Sequence, residues 1–451
     1  MALDTFDTAW ASIRDTDFDP GHGGVDWEEV KLTYRPKAAA CADNEALREV
    51  IDEMIGTLGR SHFALLPQEA VDARVEAAES GAAPAPAASA PGATAVDGSD
   101  RGDGAGGGSL VPASFGMGLR LVEGSIVVCS VLPGGPADHA GVKPGWAVTA
   151  VAGRDPLGPF EGVDEGAGGL ARYEREAAIA AMDRSRAGRE VGFTFRTVDG
   201  QERTLGLTAA PFPAEVAKFG NLPPLPVVFE SRWLSPEELK ALGVPASAAD
   251  GRPLRVGYIH FNIWLIPVAA RLEKAVDELR SADGIVLDLR GNPGGVGGMV
   301  MGVGGHFFTE SASLGSMRTR EGTMEFRVNP RTVTADGRLV DPYAGPLAIL
   351  VDPLSASTSE VFAGGMQDVK RARIFGETSA GAVLPAHTTR LPNGDVLLHA
   401  VADFQVPSGI MLEGRGVIPD QPRALTRAQI AETGDPVLAD AVQWIASGPA
   451  R

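Results

Sequence analysis

Apolar residues recur every three or four positions in two stretches near the start of the chain, FDTAWASIRD and NEALREVIDEMIGTLG. That period predicts amphipathic helices. Asp43 or Asn44 is placed to cap the second helix, and Gly59 sits where it would stop. The intervening DFDPGHGGVDW is turn-rich, so residues 1–67 read as a helical segment. Over 68–110 the pattern vanishes into GAAPAPAASAPGATAVDGSDRGDGAGGG. This Ala/Gly/Pro/Ser tract buries too little apolar surface to offset its ordering entropy and predicts a flexible linker or insertion.

Period-two and continuous apolar runs then take over. LRLVEG, SIVVCSVL, WAVTAVAG, EVGFTFRT and RTLGLTAA predict short strands bounded by glycines and turns. PADHAGVKPG predicts a short helix closed by Gly141, and YEREAAIAAMDRSRAG a longer one. Residues 111–215 therefore form a small β-rich domain. From 216 to 451, strands such as LRVGYIHF, DGIVLDLRG and PLAILVD alternate with helices such as VAARLEKAVDELRS and TSEVFAGGMQDV. Such alternation predicts an α/β core with a central sheet. The fold class is thus a multidomain α+β and α/β chain, and no internal repeat is found.

Composition narrows the functions. Lys and Arg number 40 against 58 Asp and Glu, a net charge of −18. A chain this acidic lacks the basic field that phosphate contacts need, so nucleic acid is excluded as the main partner, and an anionic membrane surface likewise. No apolar run approaches the roughly 18 residues of a membrane span. Two cysteines, Cys41 and Cys129, exclude a disulfide scaffold, and no CxxC pair supports a zinc site. Two free thiols, no metal and no cofactor are expected. The start MALDTFDTAWASIRD lacks the basic and apolar regions of a signal peptide. The protein is therefore cytoplasmic, or exported with its signal trimmed and a Met added.

Two strand–turn–helix segments carry candidate chemistry. In IVLDLRGNPGGVGG a strand runs into glycines whose backbone N–H groups are free to converge on an oxyanion or phosphate. The Lys-Ser/Thr of a P-loop is absent, which removes the phosphate-loop reading, and a turn for close packing is the plainer explanation. In ILVDPLSASTSEVFAGGMQD a strand enters a Ser-rich turn and then a helix. Ser357 with Glu360 three residues on also fits a capping box. A nucleophilic serine further needs a base and a group to orient that base.

Taken together, LRGNPGG, SASTSE, VFAGGMQDVKRARIFGETSAGA and LEGRGVIPD resemble the tail-specific and tricorn-type serine peptidase family. FGMGLRLVEG and PADHAGVKPGWAVTAVAG resemble a PDZ domain. These motifs span most of residues 40–425. The resemblance implies a crotonase-like or ClpP-like layered core. One branch of the family uses a Ser/Lys dyad with the lysine 25 residues after the nucleophile. That position holds Ala382, and the glutamine usually four residues later is Ala386, so the dyad is absent; Lys370, in the helix after Ser357, is a poor substitute. The tricorn branch uses a Ser–His–Ser–Glu tetrad, and every position is filled. The resemblance implies Ser357 as nucleophile, His62 as base with Ser61 and Glu413 behind it, and Gly295 and Thr358 N–H groups as the oxyanion hole. It also implies peptide-carboxylate binding by Gly116, Met117, Gly118 and Leu119, with a rigid spacer or lid as the competing use of the PDZ-like fold.

The expected activity is peptide-bond hydrolysis through an acyl-enzyme, acting on proteins or peptides. The alternative is a non-catalytic peptide- or ligand-binding protein with a peptidase-like core. His260, in YIHF, is the competing base, His139 in the PDZ-like helix reads as a surface or groove residue, and His306, His387 and His399 have no nameable partner. The resemblance leans towards a periplasmic or secreted protein, and the sequence leaves the oligomeric state open.

Overall fold

The computed structural model describes residues 1–69, 112–160, 169–211, 214–217, 225–247, 251–334 and 336–448. All but the first two residues of the low-complexity tract lie outside them. The described part is a mixed α/β architecture with a helical N-terminus and several sheets. None of its helices is long and apolar enough to cross a membrane.

Three helices open the chain: α1 (Ala2–Thr16), α2 (Trp27–Ala40) and α3 (Asn44–Gly56). Asp43 caps α3 by accepting the Ala46 N–H at 2.9 Å, and Asp26 caps α2 in the same way from Glu29. Helix α2 is absent from the sequence expectation because its apolar face is narrow: only Trp27 and Ala38 are buried. The three helices close over Phe6, Trp10, Ile51 and Met54. Their core also takes in Leu384, Leu391 and Leu397 from far along the chain. The reason is a short strand, β1 (Ala64–Leu66), which pairs antiparallel with Val396–Ala400 of a C-terminal hairpin.

The β-rich unit holds a five-stranded sheet of β2 (Met117–Val122), β3 (Ser125–Val131), β4 (Ala147–Val151), β5 (Glu190–Arg196) and β6 (Glu202–Thr208), in that spatial order. Helix α4 (Leu170–Ala181) precedes β5 in sequence and packs beside the edge strand β2. The core of this unit is Phe115, Leu119, Val128, Ile179, Phe193 and Phe195.

A six-stranded sheet forms the last part: β7 (Phe229–Trp233), β8 (Val256–Phe261), β9 (Gly284–Asp288), β10 (Leu347–Val351), β11 (Arg373–Gly376) and β12 (Gln421–Pro422). Only β7 runs antiparallel to its neighbour. The continuous apolar strands are explained by burial on both faces. Ile285, Leu287, Leu347, Ile349 and Val351 point into one core, with α5 (Ile266–Leu279) above it. Val286, Ala348 and Leu350 point into the other, which the terminal helix Pro436–Ala446 covers. Strands β9 and β10 end side by side, so the two glycine- and serine-rich turns that follow them meet at the same edge.

Candidate active site

Strand β10 leads through residues 352–357 into helix α6 (Thr358–Asp368). Ser357 sits at the junction with φ 53° and ψ −120°, a left-handed conformation that few non-glycine residues adopt. Such a residue persists only where its surroundings over-determine it. Here they do. The Ser357 N–H donates to the Ala382 carbonyl at 2.8 Å, and the Glu360 carboxylate also accepts from it at 3.1 Å. Ala356 N–H donates to the Asn292 carbonyl at 3.1 Å. Ser355 Oγ accepts from Asp352 N–H and donates to the Leu289 carbonyl.

The glycine-rich turn is locked to this serine turn by Asn292, which is fully buried. Its Oδ1 accepts from Gly294 N–H at 3.0 Å, its Nδ2 donates to the Phe261 carbonyl at 2.8 Å, and its carbonyl also accepts from Ser359 Oγ. Gly294 has φ 99°, and a Cβ there would stand 2.6 Å from the Ser357 Cβ. Gly295 has φ 144°, and its carbonyl accepts from Thr358 Oγ1 at 3.0 Å. Among the described residues, neither the Gly295 nor the Thr358 N–H donates a hydrogen bond.

The imidazole arrives from the other end of the chain. Arg60 is fastened to the buried Asp17 at the end of α1, at 2.5 Å. Ser61 and His62 follow, immediately before β1, with His62 at φ 62°. Glu413 then gathers the loop: Oε1 accepts from Ser61 N–H at 2.9 Å, and Oε2 from Ser61 Oγ at 3.0 Å and from Val383 N–H at 2.9 Å. Ser61 Oγ lies 2.8 Å from His62 Nδ1. The hydroxyl has one proton, which goes to the carboxylate, so it accepts from Nδ1–H and leaves Nε2 with a bare lone pair. Burial pushes the His62 imidazole down to about 4, so it is neutral at neutral pH. Burial also raises Glu413, against the bonds from Ser61 and Val383 that favour its anion.

The two halves meet at the 381–383 segment. The Ala382 carbonyl holds the Ser357 N–H, and the next N–H, of Val383, holds Glu413. His62 and Ser357 are not themselves hydrogen-bonded. Glu360, fully buried, braces the segment by accepting from Ser379 Oγ, Gly381 N–H and Ala382 N–H. Burial pushes its carboxyl up to about 7 despite those bonds.

Residues 255–423 match peptidase family S41, and residues 3–56 match the Tricorn protease C1 domain. The chain thus carries a peptidase S41 match over the core that holds both site turns. The chain is 26% identical over 417 residues to the chloroplastic carboxyl-terminal-processing peptidase 3 of Arabidopsis thaliana, covering 91% of this chain and 67% of that one. It is 28% identical over 316 residues to the chloroplastic C-terminal processing peptidase of Tetradesmus obliquus, covering 68% of this chain and 59% of that one. The chain thus spans 59–67% of the length of these two relatives. The solved photosystem II D1 C-terminal processing protease shares its fold, with TM-score 0.56 at 22% identity over 99% of this chain and 98% of that one.

Other candidates lie elsewhere in the chain. Lys370 is exposed beyond the far end of α6, about 1.5 Å per residue along the helix from Ser357. His260 Nδ1 is 3.1 Å from the Asp288 carbonyl, within the β8–β9 pairing. His399 is buried between Thr16 and Thr389, His306 is buried near Phe307, and His139 and His387 are exposed. Both cysteines are free. The loop residues Gly116 to Leu119 open the edge strand β2. There the Met117 N–H already donates to the chain's own Asp183 carboxylate at 2.7 Å. Sequence reasoning missed Asn292 and the bracing role of Glu360. Asn292 stands inside LRGNPGG as one polar residue among glycines, and the spacing of Glu360 from Ser357 is that of a helix cap.

Proposed function

We propose that this chain is a serine peptidase of the S41 type that hydrolyses peptide bonds of proteins or peptides through an acyl-enzyme. Ser357 Oγ attacks the scissile carbonyl, and His62 Nε2 takes its proton and returns it to the leaving amine. Ser61 and Glu413 hold the imidazole in the Nδ1–H tautomer and stabilise its cation as it forms. The Gly295 and Thr358 N–H groups receive the oxyanion, each worth about 3–4 kcal/mol in such sites. Water then releases the acyl group.

The observation that carries this reading is the Glu413–Ser61–His62 relay, tied by Val383 to the peptide whose carbonyl holds the Ser357 N–H. In this reading substrate binding brings Nε2 to the hydroxyl, as is common when a catalytic hydrogen bond tightens only in the complex. In this reading 1–67 supplies the base, 111–215 is a PDZ-like domain, and 216–451 is a crotonase-like core, with 68–110 as linker. A peptide carboxylate entering the Gly116–Leu119 loop has to displace Asp183. The names of the relatives point to carboxyl-terminal processing as the substrate class.

The test compares wild type with Ser357→Ala on a fluorogenic peptide and with a fluorophosphonate probe. Turnover and labelling are expected in the wild type and a loss of about 10³-fold or more in the variant. Equal rates in both reject the assignment. Saturable peptide binding without labelling selects the non-catalytic alternative.

A further inference from the structure

Helix α4 belongs to the β-rich unit, yet its first turns lie against the candidate active site. A Cβ on Gly169, the residue before the helix, would stand 3.2 Å from the carbonyl oxygen of Gly414, which adjoins Glu413. Arg172 pairs with Glu377 at 2.9 Å. Tyr173 packs against Ala356, Ala380 and Ala382, which are 3%, 1% and 4% exposed.

These three alanines mark the seam of the site. Ala380 N–H donates to the Ser355 carbonyl at 3.0 Å, and Ser357 N–H donates to the Ala382 carbonyl at 2.8 Å. Tyr173 therefore packs against the alanines whose backbones make or adjoin the two hydrogen bonds that stitch the nucleophile turn to the 379–383 segment. That same segment carries the Val383 N–H that holds Glu413. Ser357 needs such support, because its left-handed backbone relaxes unless its neighbours forbid it. Alanine methyls alone offer little area to resist separation, whereas an aromatic ring supplies a large rigid apolar surface.

We propose that Tyr173 is a positioning residue: its ring, carried in by the β-rich unit, clamps the Ser357 turn to the Ala380–Val383 segment. The clamp fixes the spacing between the nucleophile and the Glu413–Ser61–His62 relay. This inference rests on the peptidase reading above for its effect on turnover, and on packing alone for its effect on the seam. It follows that the β-rich unit contributes to turnover even of peptides too short to reach its own edge strand.

The test uses the full chain with Tyr173→Phe and Tyr173→Ala. The measurements are kcat and KM on a short fluorogenic peptide, the fluorophosphonate labelling rate, and amide exchange over 355–360 and 379–383. Misplacement of a reacting group by about 1 Å costs on the order of 10²-fold, so Tyr173→Ala is expected to lower kcat about 10- to 100-fold with KM within about threefold. Labelling slows in parallel, exchange at the seam speeds up, and exchange within β3–β5 does not change. Tyr173→Phe keeps at least half of the wild-type kcat, because the ring and not the hydroxyl makes the contact. Should the alanine variant fail to fold, Tyr173→Leu replaces it, with the same direction expected in every measurement. The clamp is overturned if kcat stays within about twofold, if Tyr173→Phe is as impaired as Tyr173→Ala, or if KM alone rises. A wild type that neither turns over nor labels removes the peptidase reading. In that case the exchange data still decide the clamp, and unchanged protection at the seam rejects it.

Discussion

His62 is a residue whose neighbours decide its chemistry. An ordinary imidazole titrates near 6.5, but burial pushes this one down to about 4. The base form therefore persists into acid, and kcat/KM is expected to hold at pH 5.5 and to fall only as pH approaches about 4. An acid limb centred near 6.5 in a pH–rate profile rejects this environment for the imidazole. The same shift bears on stability. The unfolded chain binds the proton at 6.5 and the folded chain only near 4, so the contribution of His62 is complete above 6.5. It is lost progressively as pH falls through about 4. Glu360 runs in the opposite sense. Its carboxyl is raised from 4.5 to about 7, so its contribution is complete below 4.5 and is lost as pH rises through about 7. Residue identity made both groups visible in the sequence. Their burial, and hence their titration, came from contacts with segments far away.

Among the elements, turns and not strands make the site, and Asn292 joins two of them. Removing its side chain in Asn292→Ala leaves the Phe261 carbonyl and the Gly294 N–H without their partners in a dry interior. Each buried group left unpaired costs about 1–3 kcal/mol, so a clear drop in the urea midpoint is expected, together with a fall in kcat. A midpoint and kcat both unchanged would show that the two turns do not depend on this link. The strands β9 and β10 were readable from their apolar runs, and the turns after them from glycine and serine. Strand β1 was not. Three residues give no period, and ALL reads equally well as the end of a helical segment. Only its pairing with Val396–Ala400 turns the chain so that Ser61 and His62 reach Glu413.

Across the whole molecule, Arg120 binds the β-rich unit to the core. It is 9% exposed and pairs with Glu176 in its own unit and with Asp352 and Glu377 in the core. Asp352 in turn accepts from Gly291 N–H and Leu354 N–H, one from each site turn. Arg120→Ala takes the guanidinium from Glu176 and Asp352 in a poorly hydrated interface, while Glu377 keeps Arg172, and loss of one member of a buried ion pair typically costs about 3–5 kcal/mol. Denaturation with urea should show a loss of that order; a change below about 1 kcal/mol would mean that the carboxylates find other partners. The sequence by itself determined the helical, β-rich and α/β stretches and the two site turns, because period and turn chemistry are local properties. Tertiary structure alone decided which carboxylate meets Ser61 beside His62, what holds Ser357 in its left-handed backbone, and that a tyrosine from the β-rich unit packs on the alanines of the seam. Those outcomes depend on contacts between segments hundreds of residues apart, and such contacts leave no periodic trace in the chain.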